Sequence, residues 1–223
     1  MSRRVVVAID GPSASGKGTV GRRVAHQLGY RYIDTGAMYR AVALGAKKAH
    51  VSWEDGPGVA DLIPTLNLRL TSDDPPHILL GSDDVSEAIR TEEIGIGASR
   101  VSRLPEVRAG LLALQRQMGE EGGVVMDGRD IGTVVFPRAE VKIYLTASSS
   151  ERSRRRVAEL RAKGQSVDPQ QVEEDLKARD LTDMTRTEAP LTRAPDAIEV
   201  DTTGMTVDDV ASAIFRQVVL VVG

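Results

Sequence analysis

The chain has 223 residues, 41% of them hydrophobic, with no cysteine and a net charge of -3 from 29 basic and 32 acidic side chains. That length supports one substantial core with satellites and needs no disulfide staples; the charge argues against a general nucleic-acid binder, and the missing thiols rule out thiolate metal sites. The apolar run 5–9 behind Met1-Ser2-Arg3-Arg4 stops at Asp10, well short of an export signal, and 218–222 is too short to span a bilayer, so the expectation is a soluble cytoplasmic protein.

In chain order, Val5-Val6-Val7-Ala8-Ile9 predicts a buried strand that runs into Gly11-Pro12-Ser13-Ala14-Ser15-Gly16-Lys17-Gly18-Thr19 and then a helical pattern. This is the order of a phosphate-binding loop. The strand delivers the chain to a tight turn, glycines let backbone N–H groups wrap an anion, and the helix N-terminus adds a favourable dipole. Lys17 supplies a mobile charge for the outer phosphates. Gly18 stands where the common pattern has Ser or Thr, so the candidate metal-side hydroxyl is Thr19, one place later. The other reading is a plain strand-to-helix turn, and even a true phosphate loop serves motors, switches and kinases alike.

Val20, Val24 and Leu28 recur at four-residue intervals as the apolar stripe of the following helix, with His26 off that stripe. No metal-ligand spacing links His26 to His50 or His77, and the three carry no assigned chemistry. A short strand at 30–33 leads into Asp34-Thr35-Gly36-Ala37-Met38-Tyr39-Arg40, which opens a helix to about 49, capped by Asp34 or Thr35. From 51 to 90 the texture changes: Trp53-Glu54-Asp55-Gly56-Pro57-Gly58, alternating Leu66-Asn67-Leu68-Arg69-Leu70, then Asp73-Asp74-Pro75-Pro76. These read as short β segments between turn clusters, an inserted subdomain.

Val107, Leu111, Leu114 and Met118 predict a long amphipathic helix ending at Gly122-Gly123. Val124-Val125-Met126-Asp127 is a buried strand passing into Gly128-Arg129-Asp130-Ile131-Gly132-Thr133, and 141–145 is another. A helix dense in arginine covers 148–163, a second charged helix follows Pro169, and 197–201 is the last strand. The final helix starts near Thr206 and carries Val210, Ile214, Val218 and Leu220 or Val221. Strands alternating with helices predict an α/β fold: a phosphate-loop core with a parallel sheet flanked by helices. The expected organisation is a core of 1–50, 101–150 and 191–223, an inserted subdomain at 51–100 and a helical lid at 151–190.

Phosphoryl transfer between two polyanions needs more positive charge than one lysine and one metal ion provide, and arginine binds phosphate bidentately while staying charged. Arg40 and Arg129 follow predicted strands, where ligands of parallel sheets sit. Arg152, Arg154, Arg155, Arg156 and Arg161, then Lys177, Arg179, Arg186 and Arg193, are either a solvated helical face balanced by Glu159, Glu173, Glu174 and Asp175, or a flap that excludes water from the transferred phosphate. From the cluster, Arg155 is the candidate catalytic arginine beside Lys17, Arg129 and Arg186. Asp127 is either a metal-side carboxylate or a turn-former before Gly128, and Asp130 can accept from a base amine.

The spacing Gly16-Lys17-Gly18-Thr19 resembles the loop of nucleoside monophosphate kinases. Asp34 to Arg40, Ile89-Arg90-Thr91-Glu92, Asp127-Gly128-Arg129-Asp130-Ile131-Gly132-Thr133-Val134-Val135-Phe136-Pro137 and Ala189-Pro190-Leu191 together resemble bacterial-type cytidylate kinases over essentially the whole chain. The resemblance implies transfer of the ATP γ-phosphate to CMP or dCMP with Mg2+, giving the diphosphate. It places Thr35, Arg40, Arg129 and Arg186 on the acceptor phosphate, Tyr39, Arg179 and Asp183 on the sugar, and Ser99, Arg108 and Asp130 on the cytosine. A carboxylate suits the N4 amino donor of cytosine, where uracil presents an oxygen. Thr182 and Met184 stand where relatives often carry further arginines, and Thr35 replaces a frequent serine while keeping the hydroxyl.

Two rivals share part of this pattern. A gluconate- or shikimate-type kinase has the loop and lid but not the 34–40 and 127–137 stretches. A guanine-nucleotide switch needs Asn-Lys-x-Asp, and the only asparagine, Asn67, is followed by Leu68. The expected partners are small nucleotides only, with no nucleic acid and no membrane, and the expected state is a monomer because ligand-gripping flaps must move freely.

Overall fold

The computed structural model describes residues 4–71 and 73–223; Met1-Ser2-Arg3, the head of the leader-like segment, lies outside them. The chain divides into two compact units, Met1–Tyr30 with Gly123–Gly223, and Arg31–Gly122. The central sheet contains β1 (Val6–Asp10), β2 (Arg31–Asp34), β6 (Val124–Gly128), β7 (Val141–Thr146) and β8 (Ile198–Asp201) in the order β2-β6-β1-β7-β8. β1 pairs in parallel with β6, Val6 against Val124 through Asp10 against Gly128, and with β7, Val7 against Val141 through Asp10 against Tyr144; β7 pairs in parallel with β8. β1 and β6 are buried at every position, as β-branched and apolar strands with both faces covered must be. The parallel α/β architecture expected from the alternating pattern is what the chain adopts.

In the first unit, α1 (Lys17–Leu28) buries Val20 and Val24 and packs on β6 and on α8 (Val207–Val222), while His26 is exposed. Thr206 caps α8 in a reciprocal box with Asp209, and Val210, Ile214 and Val218 are buried; Leu220 is not, at 77% exposure. α6 (Ser149–Ala162), capped by Ser148, and α7 (Pro169–Thr185), capped by Asp168, pack on each other. Their apolar cluster is Val157, Val172 and Leu176, with Leu160, Val167 and Ala14 of the phosphate loop against it.

In the second unit, α2 (Thr35–Lys48) is capped by Asp34, whose side chain accepts from the Ala37 N–H. α3 (Gly56–Leu62) follows, then β3 (Leu68–Leu70), β4 (Ile78–Leu80) and β5 (Asp83–Asp84) in one antiparallel sheet, and α4 (Glu92–Val101) and α5 (Pro105–Gly119). The expected β insertion exists, but the stretch around 53–58 does more than turn. Asp55 accepts from the Gly58 N–H and Pro57 sits in the first turn, so the same Asp-Gly-Pro-Gly that reads as a turn cluster starts a helix. Within this unit α2 packs on α4 and on α3, and α3 packs on α5, with Met38, Val42, Val59, Ile94 and Leu111 buried.

Candidate active site

β1 ends at Asp10 and hands the chain to the phosphate loop at Gly11. No other residue fits there: φ is +148°, and a Cβ would lie 2.0 Å from the Leu145 carbonyl oxygen. Gly16, at φ 95°, turns the loop into α1. Within it Lys17 is 6% exposed, and its Nζ donates to the carbonyls of Gly11 and Pro12 at 2.7 Å each and to Ser15 Oγ at 3.3 Å. Burial, reinforced by the neighbouring Arg129 guanidinium, pulls the Lys17 ammonium down to about 7. Thr19 is exposed on the first turn of α1.

Parallel pairing sets the C-terminal ends of β6 and β7 beside that of β1, with β8 next to β7, and the segments that follow β6, β7 and β8 bring polar groups to the loop. After β6, Arg129 donates through Nη2 to Ser13 Oγ at 3.0 Å and through Nε to Asp183 at 2.7 Å. Burial is the largest influence and works against its charge, but the carboxylates of Asp183, Asp127 and Asp180 together outweigh it and hold the guanidinium above its usual range. Arg186, at the end of α7, donates to Asp130 at 3.3 Å and to the Ala189 carbonyl at 2.7 Å. After β8, Thr202 donates to the carbonyls of Thr146 and Ser15. Arg155 reaches the same place, with Nη1 to Thr202 Oγ1 at 2.9 Å and Ser15 O at 3.3 Å, and Nη2 to Thr202 O at 2.7 Å.

The arginine-rich helix therefore divides. Arg154 and Arg156 pair with Glu151 and Glu159 at the surface, the solvated-face behaviour, whereas Arg152 and Arg155 turn onto the phosphate loop. Asp127, Asp130 and Asp183 are all buried, so Lys17, Arg129 and Arg186 are each matched by a fixed carboxylate. Asp127 lies within electrostatic reach of both Lys17 and Arg129. Arg179 sits on α7, one residue before the buried Asp180.

Sequence reasoning left Asp10 without a role. Its two oxygens accept the backbone N–H groups of Ile131 and Gly132 at 2.8 and 2.7 Å, tying the end of β1 to the π-helical turn Ile131–Val135 directly behind Arg129 and Asp130. Burial pushes its carboxyl up to about 6, against the pull of those two N–H groups. The legible signal was a carboxylate closing an otherwise apolar strand.

The second unit assembles its own set on α2, α4 and α5. Thr35 is buried at the start of α2. Tyr39 accepts from Arg108 Nη1 at 3.3 Å, with the guanidinium 6.0 Å from the ring centroid. Arg40 donates to the Ile89 carbonyl at 3.0 Å, and a Cβ at Gly95 would meet its guanidinium at 3.2 Å, so glycine there leaves the arginine room. Ser99 is half-buried on α4. Thus Lys17, Arg129, Asp130, Asp183 and Arg186 gather in one unit, and Tyr39 with Arg108 in the other.

The family model for cytidylate kinase matches residues 7–219. A cytidylate kinase of Syntrophotalea carbinolica is 51% identical over 219 residues, covering 98% of this chain and 93% of the relative. One from Neisseria meningitidis is 49% identical over 209 residues, 94% of each, and one from Listeria monocytogenes 46% over 214 residues, 96% of each. Among solved structures, a gluconokinase from Sinorhizobium meliloti superposes with a TM-score of 0.51 at 13% identity, covering 100% of this chain and 95% of that one; this likeness concerns the fold alone.

Proposed function

Because the chain belongs to the cytidylate kinase family, we propose that it transfers the γ-phosphate of ATP to CMP or dCMP, giving CDP or dCDP for pyrimidine nucleotide metabolism. The observation that carries the reading is the ring of buried charge around the phosphate loop, in which Lys17, Arg129 and Arg186 meet a base-reading carboxylate, Asp130. Lys17 and Arg129 neutralise the transferred phosphoryl group, and Arg186 grips the acceptor phosphate with Arg129, Thr35 and Arg40. Tyr39, Arg179 and Asp183 hold the sugar. Asp130, with Ser99 and Arg108, reads cytosine through its exocyclic amine.

The attacking oxygen belongs to an already ionised phosphate, so no general base is required; positioning and charge neutralisation set the rate. Lys17, Arg129, Arg186 and Arg40 each rest on a carboxylate or carbonyl partner that holds the cation in place for a phosphate. Arg155, bridging Ser15 and Thr202, steadies the far wall of the donor loop. A magnesium ion carried by a triphosphate takes one or two protein oxygens. The buried Asp127 carboxylate, beside Lys17 and Arg129, fits that need, with the Thr19 hydroxyl as second donor. When bound, the metal supplies further neutralisation of the outer phosphate oxygens.

In functional terms the 151–190 hairpin acts as the lid, 51–100 as the acceptor-side insertion, and 1–50, 101–150 and 191–223 as the core. Net charge of -3 supports small nucleotides as the partners, without nucleic acid. The proposed setting is the cytoplasm; among the described residues no helix is long and apolar enough to cross a membrane. A coupled assay with ATP across CMP, dCMP, UMP, AMP, GMP, gluconate and shikimate tests the reading. CMP or dCMP must be the best acceptor; turnover confined to another acceptor overturns it.

A further inference from the structure

Ser13 is held by every polar group it owns. Its N–H donates to Asp180 Oδ1 at 3.0 Å, its carbonyl accepts from Arg152 Nη1 at 3.1 Å, and its hydroxyl accepts from Arg129 at 3.0 Å. Asp180 and Arg152 are themselves ion-paired, so the two helices α6 and α7 close a ring around one residue of the phosphate loop, holding the peptide groups on both sides of it. Arg152 is anchored in turn by the Ala147 carbonyl, the first residue beyond β7. Ser13, Arg152 and Asp180 are 6%, 9% and 5% exposed.

The next residue makes the ring consequential. Ala14 has φ 57°, a left-handed conformation that a residue with a Cβ holds only when its surroundings over-determine it. Those surroundings are the clamped Ser13 peptide on one side and the Val157, Val172 and Leu176 cluster of α6 and α7 on the other. A buried ion pair is a poor device for stability, since well-packed apolar residues of similar volume commonly do as well or better. What the pair does supply is direction: a donor to the carbonyl and an acceptor to the N–H of the same residue.

We infer that Asp180 is a positioning residue for the donor nucleotide: with Arg152 it sets the Ser13 peptide, and hence the strained loop that receives the outer phosphates, and it makes the root of the α6–α7 hairpin part of that loop. The inference rests on the proposed kinase reading for its nucleotide, but not on CMP as acceptor. Closure of a lid built on this hairpin then occurs beyond residue 180's anchor, toward the 163–168 tip, and not by a swing of both whole helices.

The test uses two variants and two readouts. Asp180→Asn is nearly isosteric and can keep only one of the two bonds; Arg152→Met with Asp180→Leu replaces the pair by apolar bulk and guards against misfolding from a lone buried charge. ATP affinity is measured by calorimetry without acceptor, and KM for ATP and for CMP in steady state. Both variants should weaken ATP binding and raise the ATP KM about tenfold or more, the scale of a lost hydrogen bond to a charged group, while the CMP KM stays within about twofold. Native ATP affinity in either folded variant, or an equal rise in both KM values, overturns the inference. If the unmodified chain leaves CMP untouched, the kinase reading fails, and the ATP titrations still decide the role of Asp180.

Discussion

Lys17 carries a positive charge into a site that disfavours it. Burial and Arg129 hold its ammonium near 7 before any phosphate arrives, so at pH 8 much of the population is neutral. Donor phosphates favour the ammonium and raise that value, so ATP binding at pH 8 should take up protons and at pH 6 should not. Calorimetry in buffers of different ionisation enthalpy measures this; a binding heat independent of buffer at pH 8 contradicts it, and Lys17→Met should abolish the uptake and lower kcat about a hundredfold or more. Asp130 separates recognition from rate. Asp130→Ala should reduce the CMP over UMP ratio of kcat/KM by about tenfold to a hundredfold, the value of one good base-edge contact. An unchanged ratio would remove Asp130 from base readout and leave it as a partner of Arg186.

Between elements, the clasp of Asp10 on the π-helical turn Ile131–Val135 is where β1 and β6 are locked in register at the site. Its carboxyl is raised from 3.8 to about 6. A group raised in the fold stabilises it fully below the unfolded value and loses that contribution as pH climbs through the folded one. The window is therefore pH 4 to 6, with stability from this group falling as pH rises, by about 3 kcal/mol at most. In Asp10→Asn the slope should vanish: between pH 4 and 7 the unfolding free energy of the native protein should fall relative to the variant's by up to about 3 kcal/mol. Parallel pH profiles would mean that Asp10 titrates normally. β6 and the turn after it were readable as a strand running into a functional loop, because five buried positions in a row admit little else. The clasp was not readable, because its partners are backbone groups 121 and 122 residues away.

For the whole molecule, charge and ligand access argue for a single copy. The large exposed apolar side chains include Ile96 on α4, Leu181 and Met184 on α7, and Val219, Leu220 and Val221 on α8, drawn from three helices and both units. Sedimentation equilibrium should give the monomer mass, 24.0 kDa, with or without ATP and CMP; a stable dimer would sink that expectation. At this scale the residue order alone determined the architecture and the reaction class: a strand, a glycine loop and a lysine in sequence specify a phosphate site, and 127–137 with 34–40 narrows it to one family. Local periodicity is enough there because each element reads its own side chains. Only the folded chain decided which arginines serve the loop. Arg152, Arg154, Arg155 and Arg156 are interchangeable in composition, yet helix geometry points two of them at Ser13 and Ser15 and leaves two in water. Likewise only folding gave Asp10, Ser13 and Asp180 their partners, since a hydrogen bond between distant segments has no periodicity to announce it and exists only once parallel strands have brought their ends side by side.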